Sequence, residues 1–515
     1  MDMATVHSAC SYSTFILCRL IALLTVPIFA VPATAQTWRI VPQASLRETY
    51  TDNADLAAAA SAQSRMISDI STGVLLERIG PRLSFLFDYR LRSLVYAGES
   101  RLNSHQNFLN SRATFELVDN WLFIDARADI SQQNQTAFGS PVAADSLGLN
   151  PNQAETKTYR ISPYVRGIFA DKALYQLRFN ASESRAAESV IADTRSAEWL
   201  ALVSSTPNSG RLGWLVDGNA QFVNSDETGK RKYNRGRISL IYQLLPTLAL
   251  SAIAGYEVND LVSSEMRSGS SNGFGLDWNP GPRTRLIATG QKRFFGDSYS
   301  FSFSHRTALT AWRLSSTRDV LLSPNNVDAA SQISVAELVS DILASSIPDP
   351  AARSAAVSQR LGQSGPTTAT TTSTGFLTAR PTLNRRHDAS MVIIGSRSTI
   401  ALALSRRDLR ALGSASVSGD SFDLSEDIRQ TTLSASWLYR LTPLSSLSFS
   451  VSRSKSDGLR AASFESEQRL QSVYFTTSLG PQISAGFGVR RDQFDSTRVI
   501  SYRENSVSGS LSLRF

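Results

Sequence analysis

The sequence predicts an all-β fold: a transmembrane antiparallel β-barrel of an outer membrane, with about 22 strands and a short helical insert in one long loop. Three observations predict it. Apolar and polar residues alternate along most of the chain, and tight turns alternate with long polar connections. The composition lies between that of a helical membrane protein and that of a cytosolic enzyme. With 42% hydrophobic residues, 19% charged residues and a mean hydropathy of −0.13, the chain is too polar for a helical membrane protein. It is also too weakly charged for a typical cytosolic enzyme.

The first predicted element is a signal peptide over residues 1–35. An apolar core at 20–31 follows Arg19, and the small residues at 33–35 form a cleavage pattern. The mature chain is therefore expected to begin at Gln36 and to be exported.

The alternative for this segment is an N-terminal membrane anchor. An anchor needs roughly 20 uninterrupted apolar residues, and Pro27 together with the charged boundary leaves too few. Both cysteines, Cys10 and Cys18, lie in this segment. The predicted barrel, 36–515, is thus expected to contain no disulfide, thiolate metal site or thiol nucleophile.

Alternation with a period of two marks the predicted strands. Six of the seven odd positions in 83–95 are apolar or aromatic, and 122–130 shows the same pattern in the opposite phase. Further segments of this kind are 159–169, 173–180, 212–223, 233–244, 248–256, 283–294, 298–305, 398–405, 430–441, 447–453, 471–479 and 483–491. They are long enough to cross a bilayer at a tilt, for which about 9–11 residues are needed.

The connections favour a barrel over a secreted β-sandwich or β-helix, which would also alternate. Tight turns rich in Gly, Pro or Asn occur at 80–81, 119–120, 245–247, 279–282, 442–443 and 480–481. Longer polar stretches lie between them at 53–68, 131–156, 182–195, 224–232, 259–271, 409–428, 455–468 and 493–503. Aromatic residues beside the tight turns, as in an interfacial girdle, are Trp121, Tyr242, Trp278 and Tyr439.

The C-terminus ends in an amphipathic strand. Its apolar side chains occupy every second position, with Gly509 in phase: Val507, Leu511, Leu513 and Phe515. This pattern resembles the signal that the barrel assembly machinery reads on its clients. An even strand number would place the N- and C-termini in the periplasm. The expected surroundings are outer-membrane lipid and lipopolysaccharide of a Gram-negative cell.

Residues 321–384 break the alternation and predict two helices. Ser334 and Glu337 form a capping box, and apolar residues then follow helical spacing. Asp349 as N-cap, Pro350 at the first position and Gly362 after the end frame the second helix, and a Thr-rich linker follows at 367–374. The insert is either an ordered external loop or a lid or plug that restricts the pore. Strand parity makes it extracellular, but one miscounted strand would make it periplasmic.

Residues for catalysis, metals or cofactors are sparse. Beyond the signal peptide the histidines are His105, His305 and His387, with no metal-ligand spacing, nucleophile elbow or phosphate loop. His305 follows Ser304, so a Ser–His pair is an unspecific alternative to a girdle residue. We therefore expect no enzyme, no cofactor, no metal site and no nucleic-acid partner.

Arginine accounts for most of the positive charge. Lysine contributes six of the 52 basic residues, and the net charge is +8. Candidate pore-lining arginines on the polar faces of predicted strands are Arg90, Arg92, Arg127, Arg160, Arg178, Arg235, Arg237, Arg285 and Arg293, and Arg166 lies in the same pattern. Facing a lumen, they would favour anionic solutes or polymers. Alternatively, the arginines bind lipid phosphates outside, or pair with Asp125, Asp129 and Asp217.

Several short strings resemble the PEP-CTERM system-associated outer-membrane β-barrel family, which is linked to exopolysaccharide loci. They are 38–42, 48–53, 278–285, 293–296, 304–306 with Trp312, and 348–353. The resemblance implies a pore or secretion component in polysaccharide export, with polysaccharide export components as partners. It implies no catalytic residues. The alternatives are a general or anion-preferring porin or uptake channel, or a structural sheath around a periplasmic partner.

Overall fold

The structure is a computed structural model that describes most of the chain after the predicted signal peptide. The described residues are 38–142, 150–187, 193–206, 210–262, 265–322, 335–344, 346–347, 349–361, 375–413, 417, 419–460 and 464–515. The predicted signal peptide, the capping residue Ser334, Gly362 and the linker at 367–374 lie outside them.

The described chain forms one antiparallel sheet of 22 strands, in which each strand pairs with its neighbours in sequence. The sheet closes because the last strand pairs with the first, from Gln43 opposite Arg514 to Thr51 opposite Ser506. The strands, β1 to β22, are Arg39–Thr51, Arg65–Ile79, Leu83–Tyr96, Ser104–Val118, Leu122–Asn134, Gln153–Phe169, Ala173–Ala186, Thr194–Ser205, Leu212–Ser225, Gly229–Leu245, Leu248–Asn259, Arg267–Gly281, Thr284–Arg293, Gly296–Arg306, Thr310–Leu321, Thr382–Ile394, Ser398–Ala411, Asp427–Arg440, Ser445–Gly458, Glu465–Ser478, Ile483–Ser496 and Tyr502–Arg514. The predicted fold class and the predicted strand number are confirmed.

The two ends of the barrel differ in loop length. Connections from even to odd strands have two to six residues, and this side is called the short-turn end. On the opposite side, the long-loop end, connections reach 18 residues at 135–152 and 60 residues at 322–381. The start of β1 and the end of β22 both lie at the short-turn end. Outer-membrane barrels combine short periplasmic turns with long external loops in this way.

The strands extend further than the alternation predicts. They have 10 to 17 residues, and β19, for example, continues to Gly458 although a polar connection was expected from 455. The predicted loop boundaries are wrong here. Beyond the membrane both faces of a strand meet water, so polar residues occupy both faces while the hydrogen-bonded ladder continues.

The outer face of the barrel carries an apolar belt. On β17, Ile400, Leu402 and Leu404 are exposed on one face, and the next residues on that face are Arg406 and Asp408. Exposed aromatic side chains line the short-turn border of the belt: Trp121, Tyr242, Trp278, Trp312 and Trp437. A belt of this kind with an aromatic girdle is the architecture of an outer-membrane β-barrel.

The belt gives a direct test of which face meets lipid. We expect Leu402→Arg to lower the free energy of unfolding from a bilayer by about 2–4 kcal/mol, because its guanidinium would be desolvated in the belt. Ala403→Arg is the matched control, since Ala403 is exposed on the opposite face of the same strand. Reversible denaturant unfolding in lipid vesicles measures both. Equal losses would contradict the assignment of faces.

The insert between β15 and β16 contains two helices, α1 (Val335–Leu343) and α2 (Pro350–Leu361). The Asp349 side chain accepts a 2.8 Å hydrogen bond from the backbone N–H of Ala352, which caps the start of α2. The apolar residues of α1 repeat at helical spacing and are buried on one face. No helix among the described residues is long and apolar enough to span a membrane.

The candidate functional site is the barrel lumen

The two helices of the insert lie inside the barrel. Leu338, Val339 and Ile342 of α1 and Val357 and Leu361 of α2 are buried against strand residues. Those strand residues, on β15 to β18, are Ala311, Val392, Ile394, Ala401 and Leu438. Their chain neighbours Trp312, Ile393, Leu402 and Trp437 are exposed on the outer face. Because successive strand residues point to opposite faces, the helices pack on the inner wall.

Polar contacts fix these helices near the short-turn end. Arg313 on β15 contacts Asp341 at 2.8 Å and Glu337 at 3.3 Å. Arg306, at the end of β14, donates to the backbone carbonyl of Asp341 at 2.9 Å. Arg360 of α2 donates to the carbonyl of Gly395 in a tight turn. Together α1 and α2 are called the helical plug.

The position of the plug bears on the two readings of the insert. The insert leaves the wall after Leu321 and returns at Thr382, which are paired residues at the long-loop end. Its helices nevertheless contact the turns of the opposite end, so they lie deep in the lumen. This placement agrees with a plug and disagrees with an external loop. Strand parity therefore predicts at which end of the barrel the insert leaves and re-enters the wall. It does not predict where the helices of the insert lie.

A second obstruction crosses the long-loop end. Residues 375–381, called the strap, lead into β16, yet the strap contacts β5, which is eleven strands away around a barrel of 22. The Asn134 side chain donates to the carbonyl of Gly375 at 2.7 Å, and Leu377 donates to the carbonyl of Asn134 at 2.9 Å. The strap therefore spans the mouth of the barrel.

Other loops hold the strap in the mouth. The hydroxyl of Thr378 donates to Asp420 at 2.6 Å, and Arg380 pairs with Asp423 at 3.4 Å. Phe376 packs against Phe422 and belongs to an apolar cluster to which long loops and the strands β17 and β18 contribute. Burial raises the pKa of the Asp420 carboxyl, although hydrogen bonds from Phe422 and Thr378 oppose that rise.

The strap contact with Asp420 gives a testable pH dependence. The pKa of Asp420 is higher in the folded protein than in the unfolded chain. The stability that this carboxyl contributes to the folded state is therefore fully present below its unfolded pKa and is lost as pH rises through its folded pKa. We expect Asp420→Ala to increase hydrogen–deuterium exchange of the strap at every pH. Asp420→Asn keeps an acceptor for Thr378 and does not titrate. The protection factors of the strap amides, which are corrected for the intrinsic pH dependence of exchange, should therefore stay high and no longer vary with pH. Protection in Asp420→Ala equal to that of the wild type would contradict this role.

All nine candidate arginines lie on the inner face. Paired residues of neighbouring strands share a face, and Arg313, which contacts the plug, is opposite Ser304, which is opposite Arg285. The same reasoning around the sheet places the others: Arg90, Arg92, Arg127, Arg160, Arg178, Arg235, Arg237 and Arg293. Arg166 is also inward and stacks on Phe123 at 4.4 Å.

Many inward arginines are paired with carboxylates. Arg178 contacts Asp125 at 2.8 Å, Arg127 contacts Asp129 at 2.7 Å, and Arg237 contacts Asp217 at 3.0 Å. These three pairs are those of one sequence-based alternative. Arg92 with Asp69 and Arg285 with Asp277 follow the same pattern. Pairing reduces the positive field of the lumen, so anion preference depends on the arginines that remain in excess.

Arg293, like Arg92, is buried towards the long-loop end. Its side chain is 2% exposed and contacts Glu257 at 2.6 Å and Asp319 at 2.5 Å. It also donates to the hydroxyl of Tyr233 at 2.6 Å. A residue enclosed in this way stabilises the wall and is not available to a solute in the lumen.

Arginines also lie on the outer face, beyond the apolar belt. Arg406, Arg429 and Arg453 are examples, and they pair with Asp408 and Glu467. On β17, Arg406 directly follows the exposed leucines of the belt on the same face. The alternative of external lipid-binding arginines therefore concerns residues outside the candidate set.

The histidine alternative fails on geometry. His305 is opposite Trp312 on the outer face, and its ring nitrogen Nδ1 forms a 2.8 Å hydrogen bond with the hydroxyl of Thr284. Ser304 is the next residue along the strand and points inward, so the two side chains cannot form a catalytic pair. Within the described ranges, no group of three or more His, Cys, Asp or Glu side chains could hold a metal ion.

The C-terminal strand completes the barrel. Val507 and Leu511 are exposed on the outer face, Leu513 shares that face, and Phe515 is exposed at the short-turn end. The backbone N–H of Phe515 donates to Pro42 of β1 at 3.1 Å. The predicted assembly signal thus forms one side of the seam that closes the sheet.

No model of a known protein family matches the sequence, and no curated protein matches it. Among solved structures, the FrpB iron transporter of Neisseria meningitidis (F5-1 variant, apoprotein form) is similar at 10% identity, covering 92% of this chain and 81% of that chain, with a TM-score of 0.49. The siderophore receptor PirA of Pseudomonas aeruginosa has 10% identity, coverages of 94% and 82%, and a TM-score of 0.37. The outer membrane protein opdK of Pseudomonas aeruginosa has 8% identity, coverages of 93% and 99%, and a TM-score of 0.34. The fold assignment rests on the strand register of this chain.

Proposed function

We propose that this chain is an outer-membrane pore or secretion component in the export of extracellular polysaccharide. The observation that carries the proposal is the lumen, which has a polar, arginine-rich wall and is obstructed by parts of its own long loop at both ends. A general porin has no need of a plug and a strap built from one insert. A sheath would need free space for a partner, and the plug occupies the short-turn mouth through which a periplasmic partner would enter.

The resemblance of several short strings to an exopolysaccharide-associated barrel family supports the cargo. In this proposal the short-turn end faces the periplasm, where export components would deliver the polymer. The C-terminal strand would be read by the barrel assembly machinery. Outer-membrane lipid and lipopolysaccharide would surround the apolar belt.

Gene deletion tests the export function. We expect loss of surface polysaccharide together with polymer accumulation in the periplasm, because synthesis continues while the route outward is missing. Complementation with the wild-type chain should restore the surface polymer. Normal surface polysaccharide in the deletion strain would remove this function.

An anion-preferring uptake channel is the second candidate, favoured by the inward arginines. It predicts a steady anion-selective current from purified protein in planar bilayers. Replacing Arg127, Arg178 and Arg237 together with glutamine should abolish that selectivity. A closed wild-type channel with no steady current would argue against uptake.

A further inference from the structure

Three arginines form a row across the inner wall of β4 to β6. Arg112 is directly opposite Arg127, and Arg127 is directly opposite Arg160. These three residues are called the arginine ladder. Like charges directly opposite each other on one face of a sheet are destabilising, so such a row is unusual unless negative charge is supplied.

The protein supplies only part of that charge. Asp129 contacts Arg127, while Asp125 is engaged by Arg178 at 2.8 Å and by the hydroxyl of Thr114 at 2.9 Å. Arg112 is exposed to the lumen and has no ion pair within the described part of the chain. The inner faces of β4 to β7 carry five arginines against three carboxylates: Arg112, Arg127, Arg160, Arg166 and Arg178 against Glu116, Asp125 and Asp129.

A pocket of about 250 Å³ opens beside the ladder. Three arginines line it, together with one carboxylate that one of them neutralises and with small side chains: Arg127, Arg160, Arg178, Asp125, Ala126, Ser162 and Asn180. The Asp125 carboxylate is the partner of Arg178 at 2.8 Å. The Arg178 guanidinium stacks on the ring of Tyr164 at 4.0 Å, which restricts its motion. The site therefore combines oriented guanidinium groups with a hydroxyl and an amide.

We propose that the arginine ladder and its pocket bind an acidic saccharide, a sugar chain that carries carboxylate groups. Planar guanidinium groups bind carboxylates through two parallel hydrogen bonds. The Ser162 hydroxyl can exchange hydrogen bonds with sugar hydroxyls. The Asn180 amide nitrogen donates to Glu198 at 2.8 Å, so Asn180 can accept from a sugar hydroxyl through its amide oxygen. The volume lies just below the roughly 300–1,000 Å³ of typical ligand pockets, which suits one or two sugar residues of a longer chain. This inference rests on the proposed export function and names the chemical class of its cargo.

Calorimetry on the purified full-length protein tests the site with defined probes. Trigalacturonate should bind measurably, whereas neutral maltotriose should not bind. Inorganic phosphate should bind at least about tenfold more weakly than trigalacturonate, because it offers no sugar hydroxyls. The double variant Arg112→Gln, Arg160→Gln should weaken trigalacturonate binding at least about tenfold.

Arg47→Gln is the matched control. Arg47 is an inward arginine on β1, opposite Asp69, and it too has no ion pair in the described residues. Its replacement removes one luminal charge away from the ladder, as Arg112→Gln alone removes one within it, so affinity should stay within about twofold of the wild type. Heat-dependent mobility on gels verifies that each variant is folded.

Several results would overturn the site: equal binding of trigalacturonate and maltotriose, equal binding of phosphate, unchanged affinity in the double variant, or an equal loss in Arg47→Gln. These results are separable from the export test. Loss of surface polymer on gene deletion, combined with unchanged ladder-variant affinity, removes only the site. Ladder-dependent binding with normal surface polymer removes only the export function.

Discussion

Replacing residues 323–380 with a four-residue Gly-Ser linker is expected to increase single-channel conductance by at least about tenfold. Barrels of 16–18 strands already leave an aqueous channel, so 22 strands without an obstruction enclose a wider one. The replacement removes the plug and the strap together. The barrel should still close, because Leu321 and Thr382 are paired residues that a short linker can join. Planar bilayer recordings of purified protein measure the change.

A matched replacement separates this effect from loop shortening in general. Residues 97–103 form another long-loop connection, whose hydrogen bonds in the described structure are local or to β2 and β3. The same linker there should leave conductance close to that of the wild type. A deletion of 323–380 with unchanged conductance would show that neither plug nor strap restricts the pore.

Point substitutions resolve the contribution of the plug alone. Arg313→Ala removes the contacts to Glu337 and Asp341, and Ile342→Asp introduces an unpaired carboxylate into the buried face of α1. The double variant should show openings that are more frequent than in the wild type and smaller than in the deletion, because the strap remains. Openings as large as those of the deletion would assign the whole restriction to the plug.

The barrel could be predicted from the sequence because its cause is local. An outer face in lipid and an inner face in water impose a period of two wherever a strand crosses the membrane, as in 83–95. Strand ends were misplaced where that contrast disappears, as at the end of β19. The N-cap at Asp349 was likewise visible, because one side chain and the next three residues determine it.

The interior could not be predicted in the same way. The depth of the helical plug depends on Arg306 and Arg313, which nothing in their strand patterns distinguishes from other arginines. The strap joins Asn134 to Gly375, residues far apart in sequence, and its residues have no periodic pattern. The sequence does not single out Arg112, because its position opposite Arg127 depends on the register between β4 and β5. That register is known only once the two strands are paired.

Arg293→Ala is expected to lower the free energy of unfolding by about 3–5 kcal/mol, the cost of removing one partner of a buried ion pair. Its side chain is 2% exposed and that of Glu257 is 1% exposed, so the substitution leaves a buried carboxylate without its partner. Arg285→Ala is the control, because its pair with Asp277 is 58% and 43% exposed and should contribute less than about 1 kcal/mol. Denaturant unfolding in lipid vesicles, followed by tryptophan fluorescence, measures both.

A double substitution distinguishes the cost of an orphaned charge from the loss of packing. Adding Glu257→Gln to Arg293→Ala removes the uncompensated carboxylate, so the double variant should be more stable than Arg293→Ala alone. If the second substitution restores nothing, the loss comes from the contacts of Arg293 with Asp319, Tyr233 and the Phe295 ring. Arg293 on β13 joins β11 through Glu257 and β15 through Asp319. Recovery of stability in the double variant would show that the need of the Glu257 carboxylate for a positive partner couples these strands at the long-loop end.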